Sequence, residues 1–335
     1  EMIELHNCPS LLTDGYTTYC PKAIKLLFDG KRVSHVLNFN IDEFRNTGEI
    51  AKAMKRISVS GVQEKFPAII DDGQIRIIND DERSTHILKP APWDPTLLDR
   101  KFIPINENLT MQIASQVYGI VTAANGLCFA ENGQRVYITK RFDVLPDGNK
   151  LAMEDFAAVT GRNEQNDGEG FKYAGCFEDI AVAIRENVSA WMVDMERFFE
   201  LVVFNYIYAN GDDHLKNFSL ILQGEDYRLA PAYDLLNTSL HVNGDDLGLD
   251  GGLSPNIIKT DVYTQTGHPC RLDFERFAER IGIVKLRAKK ILDKYVSLPE
   301  KSLELIDRSF LPDKLKRKYI RIVNERIARF VRESE

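Results

Sequence analysis

Apolar and polar positions follow one pattern in the first 145 or so residues and another pattern in the rest of the chain. In the first part, short apolar runs alternate at a period near two, and Gly, Pro and Asp residues separate them. Because side chains alternate between the two faces of a strand, this period predicts β-strands, the first three of them antiparallel. The predicted strands cover residues 66–70, 74–78, 85–89, 126–130 and 136–141. After Pro146-Asp147-Gly148, apolar positions recur mostly at helical spacing as far as Val331.

Helical spacing and end signals predict helices at residues 23–28, 41–54, 107–118 and 195–209. Asn106 is the expected N-cap of the third helix, and Gly119 its end. The fourth is apolar on nearly every face, which predicts burial. A hairpin is expected at residues 218–222 and 227–229, and a Gly/Asp-rich loop at 243–252.

Composition narrows the class of protein. The 335 residues, 44% of them hydrophobic, can bury one large core or two moderate ones. A formal net charge of −7 argues against direct binding to a nucleic-acid backbone, which needs a basic surface. Five scattered cysteines fit a reduced, cytoplasmic protein. Neither a signal peptide nor an apolar run of membrane-spanning length is found, so no membrane partner is expected.

Residues 210–218 carry the strongest chemical signal. Asp212 is followed five positions later by Asn217, and Asp234 follows the predicted hairpin. In protein kinases, the first Asp of such a set accepts the proton of the substrate hydroxyl, and the Asn and second Asp hold Mg²⁺ against the phosphates of ATP. An Asp and an Asn at this spacing also occur by chance, and Asp212-Asp213-His214 can be a capped turn.

A lysine and a glutamate in the first part supply a further element of such a site. Lys89 ends a predicted strand, and Glu107 opens the predicted helix about 18 residues later. An ammonium group that reaches the α- and β-phosphates, steadied by a helix carboxylate, is the pair a kinase requires. Alternatively, Lys89 is an exposed strand end and Glu107 an acid favoured by the helix dipole. Together these features predict an α+β, bilobed protein-kinase-like fold, with a sheet-rich N-terminal lobe at residues 1–143 and a helical C-terminal lobe at 144–335.

Two other segments can contact ATP. Residues 58–65 contain one glycine and no GxGxxG motif, yet backbone N–H groups around Gly61, with Lys65, can cradle phosphate. Taken alone, one glycine among serines is an ordinary loop. The strand at 136–142 can offer backbone groups to the adenine edge while Phe142 packs on the ring. A plain connecting strand is the alternative.

Six dispersed segments closely resemble the HipA family of bacterial toxin–antitoxin serine/threonine kinases. They are residues 56–65, 84–90, 140–143, 154–156, 210–219 and 229–234. The segments occur in the family's order, and the resemblance extends from about residue 56 to the C-terminus.

This resemblance implies a role for each matching residue. Asp212 would be the catalytic base, and Asp234 the main Mg²⁺ ligand together with Asn217. The ATP contacts would come from Ser60, Gly61, Val62, Gln63, Glu64, Lys65, Lys89, Lys140, Arg141, Phe142, His214, Lys216, Asn217, Tyr233 and Asp234. Ser58 matches the serine that these kinases autophosphorylate, which ejects the phosphate loop and silences the enzyme. Ser58-Val59-Ser60 also resembles the paired-serine motif of the shorter HipT kinases.

Two features depart from HipA itself. Only about 55 residues precede the phosphate loop, too few for the additional N-terminal subdomain of HipA and a linker. The opening residues look instead like the short start of HipT-type proteins, in which a separate small HipS-like protein can act as antitoxin. The expected antitoxin is therefore HipB-like, HipS-like or both. Lys140 stands where HipA has an acidic residue, so an adenine contact there is expected through the backbone.

The sequence thus predicts an ATP- and Mg²⁺-dependent serine/threonine protein kinase, the toxin of a toxin–antitoxin module, that autophosphorylates on Ser58 or Ser60. By resemblance its substrate is an aminoacyl-tRNA synthetase, although no residue names a substrate. A kinase-shaped binding module without phosphoryl transfer and a small-molecule kinase are the alternatives. The joint presence of Lys89, Asp212, Asn217 and Asp234 argues against the first. The segment at 58–65, matched in the HipA family, argues against the second.

Overall fold

The computed structural model describes residues 4–45, 64–78 and 82–332. The chain divides into two compact units. The first comprises residues 1–113, 123–149 and 304–316, and the second comprises 114–122, 150–303 and 317–335. The expected lobe boundary between residues 143 and 144 stays a prediction.

A six-stranded sheet organises the first unit. Its strands are β1 (Val36–Leu37), β2 (Phe66–Asp71), β3 (Gln74–Ile77), β4 (His86–Pro90), β5 (Asn125–Ala130) and β6 (Arg135–Lys140). They lie in the order β1-β5-β6-β4-β2-β3, and only the β1–β5 pair is parallel among these strands. All five predicted strands are confirmed. Strand β1 was not predicted, because two residues are too few to show a period.

Two helices precede β2. Helix α1 (Pro21–Phe28) begins with a proline at its first turn and ends where Asp29 adopts a left-handed conformation, φ 54°. Helix α2 (Ile41–Arg45) confirms the start of the predicted helix at 41–54; residues 46–54 lie outside the described part of the chain. Leu27 and Phe28 pack with apolar residues of β2 and β4 in one core. The opening segment therefore belongs to the core of this unit.

Helix α3 (Ile103–Gln116) corrects the expected helix at 107–118. Asn106 is not its N-cap, because the helix begins three residues earlier. Pro104 occupies the first turn, where a missing N–H costs nothing. Asn106 is fully buried, and its Oδ1 accepts a hydrogen bond from Thr110 Oγ1 at 3.2 Å. Glu107 thus lies beyond the first turn of the helix.

The second unit contains a small antiparallel sheet of β7 (Met153–Asp155), β8 (Ser219–Gln223) and β9 (Asp226–Leu229). Its last two strands form the predicted hairpin. The helices that follow α3 along the chain are α4 (Phe156–Val159), α5 (Glu164–Asp167), α6 (Phe177–Asn187), α7 (Trp191–Ile207), α8 (Asp261–Thr266), α9 (Arg271–Arg280), α10 (Lys285–Leu292), α11 (Glu300–Arg308) and α12 (Asp313–Phe330). The loop expected at 243–252 contains neither helix nor strand.

Helix α7 confirms the expected buried helix, although it begins at Trp191 rather than residue 195. Its inward side is rich in aromatic rings, which bury large apolar areas. Asp194 in this helix is fully buried and accepts a hydrogen bond from Leu229 N at 2.9 Å. Its carboxylate also pairs with Arg197 and Arg228. These contacts fix the hairpin beside the helix that leads into residues 210–218.

The described residues include all five cysteines, each of which is a buried, free thiol. Within residues 4–45, 64–78 and 82–332, no helix has the length and apolar character needed to cross a membrane.

Candidate active site

Lys89 and Glu107 form a buried ion pair in the first unit. Lys89 Nζ lies 2.6 Å from Glu107 Oε1, and the two side chains are 3% and 2% exposed. Lys89 pairs across the sheet with Tyr137, whose ring centroid is 5.3 Å from Nζ. Burial of two charges is tolerated only when they are paired, so the contact is specific. Because Glu107 lies beyond the first helical turn, the helix dipole does not account for it.

The side chains of Lys140 and Arg141, at the end of β6, form ion pairs and hydrogen bonds within the first unit. Lys140 forms a salt bridge with Asp29. Arg141 forks onto Asp143 with distances of 3.0 and 2.7 Å, and it also donates to Ser84 Oγ at 2.8 Å. The N–H groups of Lys140 and Arg141 donate to carbonyl groups of neighbouring segments. Phe142 is partly buried. An adenine contact by these three residues stays a prediction, and it cannot use those two N–H groups without breaking existing bonds.

Most of the predicted phosphate loop lies outside the described residues, namely Ser58, Ser60, Gly61, Val62 and Gln63. Glu64 and Lys65 are described. Both are partly buried and lead directly into β2. The phosphate loop and its phosphorylation sites stay predictions.

The loop that carries Asp212 is held at its start by several hydrogen bonds. Ala209 takes a left-handed conformation with φ 55°, which turns the chain sharply after α7. Asn210 then bonds back to Asn205, through its N–H to the carbonyl at 2.8 Å and through Nδ2 to Oδ1 at 3.1 Å. Gly211 N donates to Thr238 Oγ1 at 2.9 Å. These hydrogen bonds, from both backbone and side chains, define the path of the chain into Asp212.

Asp212 is half exposed, with 50% of its side chain accessible. Its Oδ1 accepts a hydrogen bond from the Tyr173 hydroxyl at 2.7 Å, and its backbone carbonyl accepts one from Asn217 Nδ2 at 2.7 Å. Burial and the carboxylates of Asp212 and Asp250 raise the pKa of Tyr173, so the hydroxyl stays protonated and remains a donor. Tyr173 was missed by sequence reasoning, because an isolated tyrosine far from the motif gives no signal.

Residues 213 and 214, which follow Asp212, are both buried. His214 Nε2 lies 3.9 Å from Asp212 Oδ1. Burial lowers the pKa of His214 to about 4, against the opposing attraction of Asp212 and Asp234, so the ring is neutral at pH 7. Asp213 is 1% exposed and accepts a hydrogen bond from Gly248 N at 2.7 Å. Burial raises the pKa of Asp213 well above its usual range.

Asp234 follows β9 in a left-handed conformation with φ 56°, which is uncommon outside glycine and frequent at functional sites. Tyr233 anchors this position. Its hydroxyl donates to Lys216 O at 2.9 Å and bonds Ser219 Oγ at 2.5 Å. Lys216 itself places Nζ over the ring of Phe171, 5.8 Å from the centroid. The hydrogen bond from Tyr233 to Lys216 therefore connects the segment that contains Asp234 to the loop that carries Asp212.

The donor set suits magnesium bound together with a nucleotide. Asp234 and Asn217 offer hard oxygen ligands of the kind Mg²⁺ prefers. Over the described parts of the chain, no group of three or more His, Cys, Asp and Glu side chains is placed to hold a metal ion. Mg²⁺ commonly takes one or two protein carboxylates and completes its shell with substrate phosphates and water, so the two residues fit that mode.

A cavity of about 590 Å³ borders Asp212 in the second unit. Its wall includes Tyr173, Lys259, Tyr263 and the segment 244–252. The pattern at 243–252 predicted a loop, but nothing in it indicated that the loop would line a cavity beside Asp212. A substrate hydroxyl could approach the carboxylate from this side.

Comparison with known proteins matches the chain to one family model and to several kinases. A family model described as the HipA-like C-terminal domain matches residues 57–302. A "Putative kinase" of Haemophilus influenzae is 25% identical over 329 residues, which cover 91% of this chain and 90% of that protein. "Putative kinase Y4dM" of Sinorhizobium fredii is 31% identical over 57% of this chain and 47% of its own length. The "Serine/threonine-protein kinase toxin HipA" of Shewanella oneidensis is 24% identical over 63% of this chain and 50% of its own length. This chain therefore spans about half the length of the last two relatives.

Among solved structures, a chain of the HipA, HipB and operator DNA complex from Shewanella oneidensis matches with a TM-score of 0.61 at 19% identity. The match covers 82% of this chain and 65% of that one. This likeness confirms the predicted α+β fold class, with a sheet in the N-terminal part and a helical C-terminal part.

Proposed function

Because the chain belongs to the family of HipA-like C-terminal domains, we propose that it is an ATP- and Mg²⁺-dependent serine/threonine protein kinase with Asp212 as its catalytic base. The environment of Asp212 carries this proposal. Its backbone is fixed by Asn217 and one carboxylate oxygen by Tyr173, while half of the side chain faces solvent beside a cavity. A general base needs this combination of fixed position and access to the substrate hydroxyl.

The chemistry asked of the remaining residues is positioning and charge neutralisation. Asp234 and Asn217 would hold Mg²⁺, which when bound neutralises the phosphates of ATP. Lys89, kept in place by Glu107, would contact the α- and β-phosphates. Neutral His214 places no positive charge beside Asp212 at pH 7.

The biological role, the substrate and the antitoxin are proposed from the resemblance to the HipA family. The chain would be the toxin of a toxin–antitoxin module, with an aminoacyl-tRNA synthetase as substrate. Its antitoxin would be HipB-like, HipS-like or both. The similarity to the HipA toxin of Shewanella oneidensis supports the toxin assignment.

Two variants separate metal binding from transfer. Asp212→Asn should bind Mg-ATP like the parent in isothermal titration calorimetry, while its phosphoryl transfer falls by about 10³-fold, within the range for loss of a general base. Asp234→Asn should lose the Mg²⁺-dependent part of ATP binding. Asp261→Asn, an exposed acid at the start of α8, is the matched control and should behave like the parent. Full transfer by a folded Asp212→Asn protein would overturn the proposal.

A further inference from the structure

Asp246 lies in the loop at 243–252, and the chemistry proposed above assigns it no function. Three basic side chains surround its carboxylate. Arg326 Nη1 lies 2.5 Å and Arg329 Nη1 3.3 Å from Oδ1, and His268 Nδ1 lies 2.6 Å from Oδ2. The Asp246 and Arg326 side chains are 11% and 6% exposed. The two arginines belong to α12, so ion pairs connect this helix to a loop that is distant in the sequence.

The neighbours of Asp246 contact the residues on both sides of Asp212. Gly248 N donates to Asp213 Oδ1 at 2.7 Å. A Cβ atom at Gly248 would lie 2.6 Å from Asp213 N, and one at Gly211 would lie 2.4 Å from the carbonyl oxygen of Asp245. Real Cβ atoms do not approach so closely, so the two loops touch backbone to backbone. Any displacement of the loop at 243–252 is therefore transmitted to the chain around Asp212.

The cluster of Asp246, His268, Arg326 and Arg329 also contacts α7, the helix that leads into the loop carrying Asp212. The Arg326 guanidinium lies over the Tyr206 ring of α7, 5.4 Å from its centroid. The Tyr206 hydroxyl donates to Pro269 O at 2.6 Å, next to His268. Burial lowers the pKa of Arg326, and Asp246 opposes that shift, so this carboxylate stabilises the buried charge. The cluster therefore contacts both elements that adjoin the loop carrying Asp212, namely α7 and the loop at 243–252.

We propose that Asp246 is a positioning residue for the phosphoryl transfer. Its ion pairs with α12 hold the loop at 243–252 against residues 211 and 213, and in this way they fix Asp212. This proposal rests on the function proposed for Asp212. A purely structural ion pair would stabilise the unit without affecting the catalytic step, and that difference can be measured.

The test is Asp246→Asn, with Glu325→Gln as the matched control. Glu325 neighbours Arg326 on α12, is exposed and forms an ion pair with Arg321 within the same helix. For Asp246→Asn we expect kcat to fall between about 10- and 100-fold, the cost typical of a slightly misplaced group, while KM for ATP changes less than about twofold. Amide hydrogen exchange of residues 210–217 should accelerate, and exchange of residues 66–77 in the first unit should not. The control should change neither quantity.

Asp246→Asn leaves Arg326 buried without its carboxylate, which can unfold the protein. The double variant Asp246→Asn/Arg326→Gln removes that unpaired charge and carries the test if the single variant does not fold. Faster exchange at 210–217 with reduced kcat supports the proposal. Unchanged kcat and unchanged local exchange in a folded variant overturn it, as does a fall in stability alone. If the parent transfers no phosphate, the exchange measurement still decides whether Asp246 orders the loop, and the failure then lies with the proposed kinase function.

Discussion

Asp212 receives a hydrogen bond that its own motif does not supply. Tyr173 donates to Oδ1 at 2.7 Å, and its ring packs edge-on against His214 with centroids 5.2 Å apart. Tyr173→Phe keeps this packing and removes only the hydroxyl. Because this hydroxyl holds one carboxylate oxygen of the proposed base in place, and a misplaced reacting group can cost up to about 10²-fold in rate, we expect kcat to fall by about 10-fold or more. Stability should fall by no more than about 1.5–3 kcal/mol, the contribution of a hydrogen bond to a charged group. Steady-state kinetics and a thermal melt check this, and an unchanged kcat would show that the bond has no catalytic role.

His86 makes stability depend on pH. Burial lowers the pKa of His86 to about 4, below its ordinary value of 6.5, and Nε2 lies 2.8 Å from Leu27 O. The unfolded chain therefore binds a proton at a higher pH than the folded one does. Stability is fully present above pH 6.5 and falls as the pH drops towards 4, by on the order of 3 kcal/mol from this residue.

Urea unfolding of the parent and of His86→Gln at several pH values measures this contribution. The variant should lose the part of the decrease between pH 6.5 and 4 that comes from His86, while His214, whose pKa burial also lowers to about 4, contributes its part in both proteins. His6→Gln is the control, since His6 is exposed and should leave the decrease unchanged. Equal pH dependence in the parent and in His86→Gln would contradict the assignment.

At the scale of single elements, the position of Glu107 in α3 decides what the Lys89 pair does. Glu107→Gln would leave the Lys89 ammonium buried without its carboxylate, a change that typically costs about 3–5 kcal/mol. We expect a clear fall in the melting temperature and weaker ATP binding, because Lys89 is the proposed phosphate contact. Glu131→Gln, at an exposed turn of the same unit, should change neither quantity. Calorimetry measures both, and normal ATP affinity in a folded Glu107→Gln protein would remove Lys89 from the proposed site.

The loop at 243–252 offers a matched pair of glycines. A Cβ at Gly248 would lie 2.6 Å from Asp213 N, whereas one at Gly244 would meet no atom within 4 Å. Gly248→Ala should displace the loop and lower kcat, with a loss of about 1–3 kcal/mol of stability from overpacking. Gly244→Ala should do neither. Urea unfolding and kinetics compare the two variants, and the same effect from both would show that backbone contact is not the cause.

The sequence predicted those elements whose signal is local. Period-two runs gave five of the six strands in the first unit, and the hairpin after α7 was correct. Helix α3 was placed too late, because Asn106 has the residue type of a cap while tertiary packing buries it inside the helix. Tyr173 and Asp246 were missed for another reason. Their roles depend on partners far away in the sequence, and no periodicity or spacing shows such contacts.

For the molecule as a whole, the dispersed motifs and the family comparison agree that the chain is HipA-like. Each unit contains part of the proposed chemistry: the Lys89–Glu107 pair lies in the first, and Asp212, Asn217 and Asp234 lie in the second. Substrate, antitoxin and autophosphorylation depend on partner surfaces or on residues 58–63, which lie outside the described chain. They therefore stay proposals.

Phosphorylation of Ser58 or Ser60 would add about 1.5–2 negative charges where the phosphates of ATP are expected to bind. The most direct test of the kinase function is therefore the intact mass of the phosphatase-treated protein before and after incubation with Mg-ATP, beside Asp212→Ala. We predict that the parent gains phosphate that maps to Ser58 or Ser60, and that Asp212→Ala gains none. No gain in the parent, or an equal gain in Asp212→Ala, would contradict the assignment of Asp212 as the base of an active kinase.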